Sequence, residues 1–321
     1  MKKKIILVTG DPNSINSEII YKCWNKLSAS LRKNIYLISN YKLLSNQFDK
    51  LNYKTNLIKV NDIFDTNNSD KLKILDIKLS FKDPFNVTKK SSSNYVLKSL
   101  KLAHNLALSK NVAGIVNCPI NKNLLNKKNI GVTEFFASKC NIKNDKEVMI
   151  IKNENLMVSP ITTHLDIKSI SKKLKKNTII NKVKTINIWH SKLFKKRPKI
   201  AILGLNPHNG ELRKGSEEQR IIIPAIKKLR ELGILLKGPF GADTIFINDY
   251  KKYDVIIGMY HDQVLTPFKT LYKFNAINLT LGLNYTRVSP DHGIAADKIL
   301  QKKSDPESLL KCIKYINKFG K

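Results

Sequence analysis

Short, unbroken apolar runs separated by longer stretches of helical spacing are the feature that most narrows what this chain can become. Ile5-Ile6-Leu7-Val8, Ile35-Tyr36-Leu37-Ile38, Ala201-Ile202-Leu203 and Val255-Ile256-Ile257 are rich in β-branched residues and do not alternate with polar ones. A strand that is apolar on both faces must be covered on both, which is the condition of a parallel sheet sandwiched by helices. The runs place strands at 4–9, 35–39, 55–60, 113–117, 148–151, 157–162, 199–204 and 254–259. Helices are expected over 91–110, 166–195, 217–232 and 305–319. In the first of them Ser93 is the expected N-cap, and Val96, Leu100, Ala103 and Ala107 share one face. Alternation of this kind predicts an α/β fold of three layers with mostly parallel sheets.

The chain has 321 residues, 42% of them hydrophobic and 26% charged, enough to bury a large core without disulfides or structural metals. Its four cysteines, Cys23, Cys118, Cys140 and Cys312, show no C-x-x-C spacing and read as free thiols of a reducing compartment. Met1-Lys2-Lys3-Lys4 and the apolar run after it are too short for a signal peptide. No stretch approaches the length needed to cross a bilayer, so a cytoplasmic protein with no membrane partner is expected. The formal charge of +33 would suit a polyanion binder, but only six of the 58 basic residues are arginine. Lysines scattered along the whole chain fit a solvated surface better than a reader of nucleic acid, which leans on arginine. No nucleic-acid partner is expected.

Ligands of parallel α/β sheets bind at the carboxyl ends of the strands. Several chemically capable residues fall there: Gly10-Asp11-Pro12, Cys118-Pro119, Thr163-His164, Asn206-Pro207-His208 and Tyr260-His261-Asp262. Of the six histidines, His104 and His190 sit in expected helices and read as packing or surface residues. Imidazoles converging from strand ends would form an open metal site with positions left for substrate. On spacing alone, a plain hydrogen-bonding role remains open for each of them.

Ordered motifs add to this. Thr163-His164-Leu165, Gly204-Leu205-Asn206-Pro207-His208-Asn209-Gly210-Glu211, Ala242-Asp243-Thr244-Ile245-Phe246 and Met259-Tyr260-His261-Asp262-Gln263 follow one another. Asn278-Leu279-Thr280-Leu281-Gly282-Leu283, Arg287 and Ser289-Pro290-Asp291-His292-Gly293 come after them. Over nearly its full length the chain resembles the 4-hydroxythreonine-4-phosphate dehydrogenase family of pyridoxal phosphate biosynthesis. The resemblance implies a fold like that of isocitrate and isopropylmalate dehydrogenases, with two lobes around a cleft. Residues 1–135 with 285–321 would form one lobe and 136–284 the other. It implies a homodimer with a shared active site, NAD or NADP as cofactor, and a divalent metal (zinc, magnesium or cobalt). Matched residue by residue, the metal ligands would be His164, His208 and His261. Thr133, Lys269, Asn278 and Arg287 would bind substrate. Asp243 and His292 are candidates for proton transfer or for orienting the site. The pattern assigns no residue to the nicotinamide cofactor.

At four places the chain departs from that family. Val132 stands where a substrate-contacting histidine is usual, and Ser14 and Asn16 where a glycine-rich loop is usual. Leu212-Arg213 replace paired glycines, and Val264 replaces another. Valine cannot donate a hydrogen bond, and the lost glycines restrict the backbone. Three readings follow. The first is oxidation of 4-phosphooxy-L-threonine. The second is oxidation of a related sugar-acid phosphate such as phosphothreonate or phosphoerythronate. The third is a non-catalytic basic binding protein on the same scaffold.

Overall fold

The structure is a computed structural model that describes residues 3–65, 71–125, 131–142 and 146–320. Its strands run, in chain order, β1 (Lys4–Val8), β2 (Ile35–Ser39), β3 (Leu57–Val60), β4 (Leu72–Asp76), β5 (Val112–Asn117) and β6 (Val148–Lys152). There follow β7 (Met157–Thr162), β8 (Ile200–Leu203), β9 (Leu236–Phe240), β10 (Val255–Tyr260), β11 (Ile277–Leu281) and β12 (Thr286–Pro290). Every residue of β1, β2, β5 and β8 is buried, as strands covered on both faces must be. The architecture is α/β and mostly parallel, with helices on both sides of the strands. The chain divides into two compact units, Met1–Lys139 with Asn284–Lys321, and Cys140–Leu283.

In the first unit the strands lie in the order β3-β4-β2-β1-β5-β12, and every neighbouring pair is parallel. The helix Lys89–Ala107 buries Tyr95, Val96, Leu100 and Ala103, the face expected from its spacing. Its N-cap is Thr88 and not Ser93: the Ser91 amide donates to Thr88 Oγ1 at 3.4 Å. Ser93 lies inside the helix and donates to the Leu124 carbonyl at 2.7 Å. Both hydroxyls can cap, and the tertiary acceptor decides between them.

In the second unit the order is β11-β6-β7-β10-β8-β9. The pairs β11/β6 and β6/β7 are antiparallel, whereas β7/β10, β10/β8 and β8/β9 are parallel. Three short runs β7, β8 and β10 therefore point the same way, with β10 in the middle. Beneath them Val158, Ala201, Leu203, Ile256, Val264 and Phe268 share one apolar core. The single helix expected over 166–195 is two, Ile167–Lys173 and Lys176–Phe194. Leu174 between them is buried and extended, and its burial turns the chain before the second helix presents Ile179, Val183 and Ile186. The helix expected over 217–232 opens with a wide turn, Glu218–Ile222, before the regular stretch Ile223–Glu231. Pro224 has no amide to give to the ordinary ladder there.

The sequence reading placed no strand at β4, β9, β11 or β12. Gly238 and Pro239 disguise β9, an edge strand of its unit, where a missing amide costs no ladder bond. β12 reads Thr-Arg-Val-Ser-Pro, polar in sequence, yet all five residues are buried. Among the described residues no helix is long and apolar enough to cross a membrane.

Candidate metal and substrate site

Because β7, β10 and β8 are adjacent and parallel, their carboxyl ends share one edge of the second unit. His164 lies two residues past β7, and His261 opens the helix His261–Tyr272 directly after β10. The two rings come to 6.3 Å between centroids. His261 Nδ1 lies 2.6 Å from Asp262 Oδ1, so its Nε2 is the nitrogen that faces away from that carboxylate. A histidine whose second nitrogen is held by a carboxylate is the arrangement that orients metal-binding imidazoles.

His208 arrives on a different kind of backbone. After β8 the chain enters the turn Pro207–Leu212, in which His208, Asn209, Gly210, Glu211 and Leu212 all have φ between 50° and 59°. Left-handed backbone costs about 1–2 kcal/mol for each residue with a side chain, so something must hold this turn in place. Glu218, fully buried, does part of that. Its Oε1 accepts from the amides of Leu205 and Asn206, both at 2.8 Å, and its Oε2 accepts from Asn206 Nδ2 at 3.0 Å. Burial alone would raise the Glu218 carboxyl; the bonds from Asn206 and Leu205 outweigh it and hold the pKa below the ordinary 4.5. Glu217 adds a bond from Asn206 Nδ2 at 2.9 Å. Gly204 leaves the room: a Cβ there would lie 2.3 Å from Asn209 Oδ1.

The structure thus brings His164 and His261 together and sets His208 on the same sheet edge. Among the described residues no three His, Cys, Asp or Glu side chains are grouped so as to hold a metal ion. Three imidazole donors with a carboxylate behind one of them nevertheless fit a divalent transition ion with open positions. Asp243, exposed in the short helix Ala242–Ile245, follows β9 beside β8 and so stands on this edge too. Lys269 lies two turns along the helix from His261, half-buried, its Nζ 5.2 Å from the centre of the Phe274 ring. Asn278 is elsewhere. It pairs with Ile151 of β6, which pairs with Val158 of β7, so it sits four residues short of Thr162 and away from the strand ends. Its Oδ1 is buried with no hydrogen-bond partner among the described residues, a vacancy that a ligand amine or hydroxyl would fill.

The first unit holds a buried cation. Arg287 on β12 is 3% exposed, its Nε donates to Asn117 Oδ1 at 2.7 Å, and its Nη1 donates to Thr133 Oγ1 at 3.4 Å. Burial lowers its pKa to about 10, against the raising effect of Cys312 and Glu134, and it stays charged at neutral pH. Asn117 and Thr133 fix the direction of the guanidinium, and the Glu134 carboxylate is near enough to favour its charge. Val132 and Thr133 open the helix Val132–Lys139. His292 is half-buried, with Nδ1 2.9 Å from the carbonyl of the neighbouring Gly293.

The loop after β1 shows how two of the departures are accommodated. Neither Ser14 nor Asn16 has a positive φ; only Gly10 does, at 78°. Asn16 instead puts its side chain to use, donating from Nδ2 to the carbonyls of Thr9 at 2.8 Å and Pro119 at 2.9 Å. The restriction expected from losing those glycines is therefore absent, because the backbone here is ordinary. Leu212 is the opposite case, a branched residue at φ 51°. Val264 packs fully buried beneath Gly258.

Comparison with known proteins decides the family. The profile of the family described as pyridoxal phosphate biosynthetic protein PdxA matches residues 31–316. The chain belongs to this family. A 4-hydroxythreonine-4-phosphate dehydrogenase of Sulfurihydrogenibium sp. is 36% identical, over 97% of this chain and 96% of that protein. The enzyme of the same name from Aquifex aeolicus is 35% identical, over 98% of each. The crystal structure of 4-hydroxythreonine-4-phosphate dehydrogenase from Klebsiella pneumoniae covers 99% of both chains with a TM-score of 0.86 at 28% identity.

Within this PdxA-family chain, sequence reasoning missed the residues that hold the site residues still. Asn117, which orients Arg287, was only the last residue of an expected strand. Glu218 carried no motif. His104 and His190, left open as packing or surface residues, are both buried, 2.9 Å from the Tyr285 hydroxyl and the Lys196 carbonyl respectively. Burial lowers both pKa values. Cys118 is buried and its pKa raised by that burial, so it stays a thiol.

Proposed function

We propose that this chain oxidises 4-phosphooxy-L-threonine with NAD or NADP to 2-amino-3-oxo-4-phosphooxybutanoate, which loses carbon dioxide to give 3-amino-2-oxopropyl phosphate, a step toward pyridoxal phosphate. The observation that carries it is the placement of His164, His208 and His261 at the ends of three adjacent parallel strands. Family membership and the names of the relatives agree with it.

His164, His208 and His261 would hold a zinc, magnesium or cobalt ion. Such an ion supplies Lewis acidity that lowers the pKa of a coordinated hydroxyl. Arg287 supplies a fixed positive charge for the substrate phosphate or carboxylate, and Thr133 and Asn117 keep its guanidinium from swinging. Lys269 adds a second cation, while Asn278, four residues short of the strand ends, keeps its place in this reading only as a substrate contact away from the ion. Asp243, on the histidine edge, and His292 are the candidates to take the hydroxyl proton as the C–H hydride leaves for the nicotinamide. Ile167, Leu212 and Phe274 are 79%, 47% and 63% exposed and lie close in sequence to His164, His208 and Lys269. Singly exposed apolar residues are ordinary surface, and the homodimer that would complete the site stays part of this proposal.

The test is turnover of 4-phosphooxy-L-threonine by metal-stripped protein resupplied with zinc, magnesium or cobalt, following reduced nicotinamide and carbon dioxide together. Both products should appear in step and only with metal. Reduction of NAD by phosphothreonate alone would replace the amino-acid substrate with the sugar acid. No turnover of either with any ion would remove the proposal.

A further inference from the structure

The three histidine-bearing strand ends are tied to one another by side chains that are not themselves ligands. Thr162 Oγ1, at the end of β7, donates to the Met259 carbonyl of β10 at 2.7 Å. The Met259 amide donates to Gln263 Oε1 at 2.7 Å, and Gln263 Nε2 donates to the Gly204 carbonyl at the end of β8, also at 2.7 Å. Gln263 is 8% exposed and uses both ends of its amide. Gln263 lies two residues after His261, and its acceptor Gly204, at the end of β8, lies four residues before His208. Gly258 admits it, since a Cβ there would lie 2.9 Å from Gln263 Oε1.

We infer that Gln263 is the positioning residue that sets His261 and His208 in register for a shared ion, with Thr162 completing the brace toward His164. The inference rests on the histidine reading above. A primary amide suits the task because it accepts from one strand and donates to the next; a carboxylate or thioether of similar size can do only one of these or neither. The brace also answers the strain in the His208 turn. With Gly204 fixed by Gln263 and Leu205 and Asn206 fixed by Glu218, the left-handed residues begin from an anchored point. Loss of the brace should therefore loosen the ligand geometry more than the fold.

The experiment is titration of metal-stripped protein with cobalt(II), read by its visible absorption bands, for the parent and for Gln263→Met, Gln263→Glu, Thr162→Val and His208→Ala. Folding of each is checked by circular dichroism. The Gln263 variants should bind cobalt about 10- to 100-fold more weakly with shifted bands, as removal of an outer partner of a metal ligand does. Thr162→Val should move the same way by a smaller factor. Folded Gln263 variants with parental affinity and bands overturn the inference. If neither folds, an unchanged affinity in Thr162→Val overturns it. A parent that takes up no cobalt overturns the histidine reading together with this one. Loss of cobalt in His208→Ala with retention in Gln263→Met overturns this one alone.

Discussion

In the unit formed by Met1–Lys139 and Asn284–Lys321 the cation of interest is buried, whereas in Cys140–Leu283 two of the three histidines are exposed and the third is partly so. Arg287 is held by β12, which pairs parallel with β5, with Asn117 and Thr133 as partners. His208 is held by a turn of left-handed residues, with Glu218 as anchor. The first arrangement is finished before any ligand arrives, because a buried charge needs its hydrogen bonds in the native state. The second leaves its donors in solvent and invests instead in the backbone behind them. Charge recognition can be preorganised by packing, while an open ligand set must be preorganised one layer back.

Removing a histidine should have the largest effect. His208→Ala should lower metal-dependent turnover by more than about 100-fold, beyond what loss of an outer partner causes, while the thermal midpoint of the metal-free protein hardly moves. Turnover within a few-fold of the parent would break the comparison at once. Arg287→Met comes next, since it removes a buried, hydrogen-bonded charge and strands Asn117 Oδ1. A fall in kcat/KM of about 100-fold, corresponding to about 2.7 kcal/mol, is expected in steady-state kinetics, and it should occur without loss of cobalt binding.

Glu218→Gln should cost about 1–3 kcal/mol in urea unfolding, because one of the amides it serves would face an NH2 group. The sign of its pH dependence follows from a lowered folded pKa. The carboxylate contributes fully above its unfolded value near 4.5 and loses that contribution as pH falls through the lower folded value. The parent should therefore lose stability more steeply than Glu218→Gln below pH 4.5, and parallel curves would speak against the anchor. Leu212→Gly should have the smallest effect, a gain of about 1 kcal/mol or less from relieving φ 51°. A loss there would mean that the leucine side chain has a partner worth more than the strain.

Much of the fold was legible because β-branched runs buried on both faces read as central strands, although one of them, β6, pairs antiparallel on both sides. β2 and β7 fall where those runs predict them. Strands such as β12 were not legible, since Thr, Arg, Ser and Pro become buried only through the neighbours they find. The candidate ligands were legible as histidines past strand ends, and the substrate residues through ordered motifs. The role of Glu218 was not, because a glutamate in a lysine-rich chain looks like any surface acid until a fold removes its water.

By itself the sequence determined which segments must be covered by helices and which polar residues would follow strands, since hydrophobic period and strand direction are local properties of the chain. Only the tertiary structure decided that β7, β10 and β8 are neighbours, that Arg287 loses its solvent, and that the Asn16 side chain ties its loop to Thr9 and Pro119. Those outcomes depend on contacts between residues far apart in the chain, where hydrogen-bond geometry and desolvation, which no local pattern encodes, choose among side chains that look alike in one dimension.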